Sequence, residues 1–137
     1  MASKLNPYVL FAGNAREAME YYEKVFGGEL EVHLFSEMGT PADQGGDKLM
    51  HASLESPTGF TLMASDLPPG MELTTGNQIS ISLSGHDDAE LRGYWEKLSD
   101  GGTVTTALEK QMWGDVFGTC TDRFGVNWMV NIGQPES

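Results

Sequence analysis

The sequence has one cysteine, Cys120, in 137 residues, so no disulfide can close within the chain. This fits a reducing compartment, and in a strand flanked by threonines, with no histidine near it in sequence, Cys120 reads as buried rather than as a catalytic thiol. Basic side chains are also scarce. Eight Lys and Arg stand against twenty Asp and Glu, a formal charge of −12, which repels a phosphate backbone and leaves no basic stripe, so no nucleic-acid partner is expected. No apolar run approaches the roughly 18 residues a membrane span needs, and Met1-Ala2-Ser3-Lys4 lacks the apolar core of a signal peptide. A cytoplasmic protein with no membrane partner is expected. Gly-x-Ser-x-Gly, Gly-x4-Gly-Lys and paired Cys-x-x-Cys patterns are missing too, which removes the nucleophile elbow, the phosphate loop and the zinc finger. The acidic excess serves solubility, or draws in a cationic ligand.

What is present is organised around Trp113 to Asn131, which reads as two strands joined by a tight turn at Asp122-Arg123-Phe124-Gly125. An earlier stretch, His51 to Met63, has the same plan, and sliding it by 66 positions lays Gly59 on Gly125 and Met63 on Met129. The rest of the chain repeats as well. Pro7 to Ala12 suits a buried strand; Asn14 is a candidate N-cap, and Ala18, Tyr22 and Val25/Phe26 fall on one face of a helix that stops at Gly27-Gly28. Glu29 to Phe35 alternates like a half-buried strand, residues 36–48 read as a flexible flap, and 49–55 with 59–65 form the hairpin. After a Pro- and Gly-rich linker the pattern returns. Ile79 to Leu83 alternates, Asp87 or Asp88 caps a helix, Leu91, Trp95 and Leu98 form its face, and Gly101-Gly102 end it. Subtracting 73 from the second helix face gives Ala18, Tyr22 and Val25 of the first. The expectation is an α+β domain of two β-α-β-β-β modules, 6–66 and 78–133, joined by a linker at 67–77.

A tandem β-α-β-β-β repeat ending in an Asp-x-x-Gly hairpin resembles the vicinal oxygen chelate superfamily, which holds glyoxalase I, extradiol dioxygenases, fosfomycin-modifying enzymes and bleomycin-binding proteins. Pro7 to Ala15, Ala18 to Tyr22, Met50-His51-Ala52, Leu62 to Asp66, Trp113-Gly114-Asp115 and Asp122 to Trp128 resemble its PhnB-like branch. The resemblance implies two open, U-shaped sheets facing each other around a central cavity, and a homodimer. In metal-using relatives one ligand lies near the start of each module's first strand and one on each last strand. Aligning Pro7-Tyr8-Val9-Leu10 with Gln78-Ile79-Ser80-Ile81 puts the first-strand positions at Pro7 and Gln78, and counting four residues on from each hairpin glycine puts the last-strand positions at Met63 and Met129, with Leu62 an alternative to Met63. Proline offers no side-chain donor and a thioether is a poor ligand for a hard ion, so neither a metal nor another cofactor is expected at this site.

The remaining candidates are weighed from their residue types. His51, in the hairpin that faces the cavity in relatives, could act as a general base near neutrality, or could bond a strand neighbour or the flap. His33 and His86 are weaker: His33 lies in an alternating strand, and His86 beside the start of a helix. Met63 and Met129 would pack in the core or line an apolar, deformable pocket. Trp113, Phe117, Phe124 and Trp128 are divided by alternation between core and cavity, without the sequence saying which. The ligand-binding set is therefore Met63, Gln78, Trp113, Phe117 and Met129, for an apolar or aromatic small molecule. The alternative is an enzyme of the lyase, isomerase or dioxygenase type.

Overall fold

The computed structural model describes residues 5–68, 70–76 and 78–134. It is an α+β protein of two compact units, Met1–Thr74 and Thr75–Ser137. The first contains β1 (Tyr8–Phe11), α1 (Ala15–Phe26), β2 (Glu29–Leu34), β3 (Leu49–Glu55) and β4 (Thr61–Asp66), with sheet order β1-β4-β3-β2. The second contains β5 (Ile81–Gly85), α2 (Asp88–Ser99), β6 (Thr103–Lys110), β7 (Val116–Thr121) and β8 (Asn127–Ile132), in order β5-β8-β7-β6. In each unit the first strand runs parallel to the last and the other pairs are antiparallel. The β-α-β-β-β order read from the sequence is thus present twice, as two open four-stranded sheets, neither closed into a barrel.

The helices form as their spacing predicts, one against each sheet. α1 buries Ala15, Ala18, Met19, Tyr22, Val25 and Phe26 and lies on β2, β3 and β4. Its start differs from expectation. Asn14 makes no side-chain capping bond; instead Asp66, 2% exposed at the end of β4, accepts from Gly13 N at 2.8 Å and Ala15 N at 2.9 Å through Oδ1, and from Leu49 N at 3.0 Å through Oδ2. A buried carboxylate from 51 residues away does the work of an N-cap, because it also satisfies the first amide of β3. In α2 it is Asp87 that caps, accepting from Glu90 N at 3.1 Å. The expected face was Leu91, Trp95 and Leu98, but the structure buries Leu91, Tyr94 and Leu98, leaving Trp95 half-buried. Spacing of i, i+3, i+7 serves a helix face as well as i, i+4, i+7 does, and the sheet selects the former.

The hairpin turns repeat 66 residues apart. Gly59 N donates to Ser56 O and Gly125 N to Asp122 O, and both glycines have positive φ, 96° and 89°. Gly28 and Gly102 are equivalent for a different reason: a Cβ there would overlap the carbonyl oxygens of Glu55 and Thr121, where the chain leaving each helix crosses the end of the neighbouring strand.

Three stretches depart from the sequence reading. Residues 36–48 are not a featureless flap, for they contain short 3-10 turns at Phe35–Met38 and Ala42–Gln44. The loop is tied internally and to its ends by Phe35 N to Lys48 O, Ser36 N to Gly46 O and Gly46 N to Pro41 O. Strand β5 begins at Ile81 rather than Ile79, which is 79% exposed. Finally, β6 carries the Thr-rich run Thr103–Lys110, mostly exposed, which the polar–apolar alternation used elsewhere does not reveal.

Candidate functional site

Side-chain alternation sorts each sheet into a helix-covered face and an opposite, open face. In the first unit Ala52, Leu54, Leu62 and Ala64 are buried beneath α1, while Tyr8, His51, Ser53 and Met63 belong to the open face. Met63 pairs with Tyr8 on one side and Ser53 on the other. In the second unit Trp128, Val130 and Ile132 are buried, and Met129 on the open face pairs with Ser82 and Thr119. Each open face therefore carries the same row across three strands, a half-buried methionine between two hydroxyl-bearing residues.

This register moves one position assigned from sequence. The residue beside Met63 is Tyr8 and the residue beside Met129 is Ser82, an offset of 82 − 8 = 74. The alignment of Pro7 with Gln78 assumed 78 − 7 = 71. Gln78 lies outside β5 and is exposed, so the structure does not bring it beside Met129. Pro7 contributes its backbone, accepting from Met63 N at 3.0 Å. Phe117 belongs to the open face with Met129, through its pairing with Asn131. Trp113, 60% exposed, stands on the turn before β7 with its ring 6.3 Å from that of Phe117. Asn131 is fixed there by donating to Asp115 Oδ2 at 3.1 Å. Of the other two hairpin aromatics, Trp128 is core, its indole N–H donating to the buried Asp122 at 2.8 Å, and Phe124 lies in the turn.

The three histidines have distinct surroundings. His86 donates through Nδ1 to Gln134 O at 2.7 Å. His33 sits between Glu37, 3.1 Å from Nδ1, and Glu31, 3.2 Å from Nε2. Those carboxylates, Glu37 foremost, raise its pKa above the ordinary 6.5, and Glu37 is held low by the Leu34 backbone amide and by His33. Both ring nitrogens of His33 are used: Nδ1 ties the start of the 35–48 loop, through Glu37, to β2, and Nε2 meets Glu31 within β2. His51 lies opposite His33 across β2 and β3, and its Nδ1 is 3.3 Å from the Tyr8 hydroxyl, with ring centroids 5.7 Å apart. Among the described residues no hydrogen bond to its Nε2 is seen, so that nitrogen of His51 is available for chemistry. The Tyr8 contact joins residues 43 apart, and no local pattern announces it.

At the four positions that the resemblance marks for metal ligands, Pro7, Met63, Gln78 and Met129, the side chains offer two thioethers and one amide, with neither carboxylate nor imidazole. This set does not fit a hard divalent ion. Among the described residues no three His, Cys, Asp or Glu converge as a metal-binding group. Cys120 is buried in β7, and burial, aided by the charge of Asp122, pushes its thiol up to about 11, far from reactive. A cleft of about 240 Å³ that sequence reasoning missed lies within the first unit, lined by Ala12 and Gly13 just after β1, the loop residues Phe35, Gly45 and Lys48, and the stretch after β4. Lys48, the one charged residue among the described lining, donates to Gly13 O at 3.1 Å.

Comparison with known proteins agrees with this geometry. Residues 4–130 match the model of the Glyoxalase/Bleomycin resistance protein/Dioxygenase superfamily. The chain is 28% identical over 140 residues to protein YjdN of Escherichia coli, covering 93% of this chain and 94% of that protein. It is 36% identical over 141 residues to the uncharacterized protein Rv0887c of Mycobacterium tuberculosis, covering 96% of this chain and 74% of the relative. Among solved structures, protein PA1353 of Pseudomonas aeruginosa is similar at 41% identity and TM-score 0.87, covering 98% of this chain and all of that one (100%). A PhnB protein of Bacillus cereus, described as a putative 3-demethylubiquinone-9 3-methyltransferase, shares the fold at TM-score 0.78 and 22% identity, with 96% and 100% covered.

Proposed function

Because the chain belongs to the glyoxalase/bleomycin resistance protein/dioxygenase superfamily, we propose that it is a PhnB-like member that binds a small apolar or aromatic molecule on the open sheet faces, without a divalent metal. The observation that carries this reading is the repeated row Tyr8–Met63–Ser53 and Ser82–Met129–Thr119. Where metal-using relatives place ligands, this chain places two soft, adaptable side chains suited to an apolar ligand of irregular shape. Phe117 and Trp113 extend the apolar surface beside Met129, while Gln78 would contribute only from the segment before β5. Superfamily chemistry depends on a metal electrophile, and thioethers do not supply its ligands. The ligand is neutral or cationic, in keeping with a chain charge of −12. The working form is a cytoplasmic homodimer.

Equilibrium dialysis against neutral aromatic probes in the presence of EDTA tests the reading. Uptake is expected in the wild type, and Met63→Asp and Met129→Asp should each remove uptake on the face of its own unit by placing an unpaired charge beside the ligand. Uptake that survives both substitutions made together would refute the reading. A second reading, a metal-free enzyme of the isomerase or lyase type, is favoured by the unbonded Nε2 of His51, where a general base would act. Turnover of a hemithioacetal by EDTA-treated protein, lost in His51→Gln, would establish that reading in place of the first.

A further inference from the structure

The two open faces are alike in their methionine rows and unlike beside them. The position that corresponds to His51 in the second unit is 51 + 66 = 117, a phenylalanine, and the position that corresponds to Tyr8 is Ser82. Only the first unit therefore sets a hydroxyl against an imidazole next to its methionine. The Tyr8 ring stacks obliquely on that of His51, 33° from parallel, and the hydroxyl reaches Nδ1 at 3.3 Å, across the strand that carries Met63. This is long for an O–H···N bond, so the contact directs the ring more than it strengthens the fold. If Tyr8 donates, Nδ1 is the acceptor and the proton rests on Nε2. His33 does not compete for the role, since both of its nitrogens face carboxylates.

We propose that Tyr8 is a positioning residue that holds His51 as the Nε2–H tautomer, and that this N–H is the polar anchor for a neutral carbonyl oxygen on an aromatic ligand resting against Met63. The inference deepens the binding reading above and rests on it. It specifies an uncharged carbonyl because an N–H donor needs an acceptor, while the acidic chain and the nearby Glu31 and Glu37 disfavour a carboxylate. Shape and burial of the ring come from the methionine, and orientation comes from the imidazole.

The test uses the full chain and three probes of similar shape: 2-acetylnaphthalene, 2-ethylnaphthalene and 2-naphthoate. The ketone should bind about fivefold to tenfold more tightly than the hydrocarbon, the gain expected of a single added hydrogen bond, and more tightly than the carboxylate. His51→Phe, which copies the second unit, should erase the preference for the ketone while leaving the hydrocarbon bound. Tyr8 is 47% exposed, so Tyr8→Phe spares the core; it should turn the His51 ring-nitrogen NMR signals of the ligand-free protein from a single Nε2–H form to a mixture of tautomers, and weaken ketone binding by a smaller factor. Equal binding of ketone and hydrocarbon by the wild type would overturn the anchor and leave the binding reading standing. Binding of neither would overturn both. An Nδ1–H tautomer in the wild type, or one unchanged in Tyr8→Phe, would overturn the role of Tyr8.

Discussion

The two units carry the same elements in the same order, yet each is fastened by a buried aspartate at a different place. In the first unit Asp66 ends the last strand and gathers the amides of Gly13, Ala15 and Leu49. In the second the corresponding position, 66 + 66 = 132, is Ile132, part of the apolar core. There the buried carboxylate is Asp122, in the hairpin turn, accepting from Phe124 N at 2.8 Å, Val126 N at 3.1 Å and the Trp128 indole at 2.8 Å. Its counterpart in the first unit is Ser56, whose hydroxyl accepts from Phe60 N at 3.0 Å. One fold thus accommodates two solutions to the same need, which is to satisfy backbone donors where a strand end meets a turn or a helix.

The largest effect should come from breaking these anchors. Asp66→Ala leaves two buried amides and one partly buried amide without an acceptor and should cost about 3–5 kcal/mol. Asp122→Ala should cost less, about 2–4 kcal/mol, since the turn amides of Phe124 and Val126 can reach water while the Trp128 indole cannot. Urea unfolding gives the magnitudes. Hydrogen exchange should localise the damage to Gly13, Ala15 and Leu49 in the first variant, and to Phe124 and Val126 in the second. Equal costs would mean that burial of the donors does not decide the ranking.

A smaller effect sharpens the likeness of the units. Gly59 and Gly125 both have positive φ with open space where a Cβ would stand, so Gly59→Ala and Gly125→Ala should each cost about 1 kcal/mol through backbone strain alone. Thermal melts should report matching losses. A much larger loss in one unit would show that the turns are not equivalent.

The smallest effect concerns the loop that the first unit has and the second lacks. Residues 35–48 join β2 to β3, whereas residues 111–115 join β6 to β7. His33 and Glu37 fasten the start of the longer loop. The pKa of His33 is raised, so its contribution is full below the ordinary 6.5 and is lost as pH rises through its folded value. That of Glu37 is lowered, so its contribution is present above the ordinary 4.5 and is lost as pH falls through its folded value. The clamp is therefore complete between those two ordinary values. An NMR titration should place His33 above 6.5, and Glu37→Gln should return it toward 6.5; an unchanged His33 would show that Glu37 is not its main partner.

What could be read from the sequence follows the range of the interactions. Helix spacing, the Asp-x-x-Gly turn and the 66- and 73-residue offsets are local or repeated signals, and they gave both helices and both hairpins. The Asp66 cap and the Tyr8–His51 contact join residues 51 and 43 apart, and no local pattern encodes them. The register of β1 against β5 failed for a related reason. A strand of four or five residues carries no internal mark of where pairing begins, and an error of three positions, 81 − 78, moved the counterpart of Pro7 from Ile81 to Gln78. The Thr-rich β6 escaped because its two faces differ little in polarity. Which hairpin aromatics are core followed only from pairing: Trp128 turned to the helix and Phe117 to the open face.

The central claim is that Met63 and Met129, each on the open face of its own unit, offer apolar binding surface in place of metal ligands. Isothermal titration of 2-acetylnaphthalene into protein dialysed against EDTA, repeated after chelator removal and addition of zinc or nickel, tests it most directly. The account predicts saturable heat in EDTA that neither ion changes. Heat that appears only once the ion is supplied would contradict it.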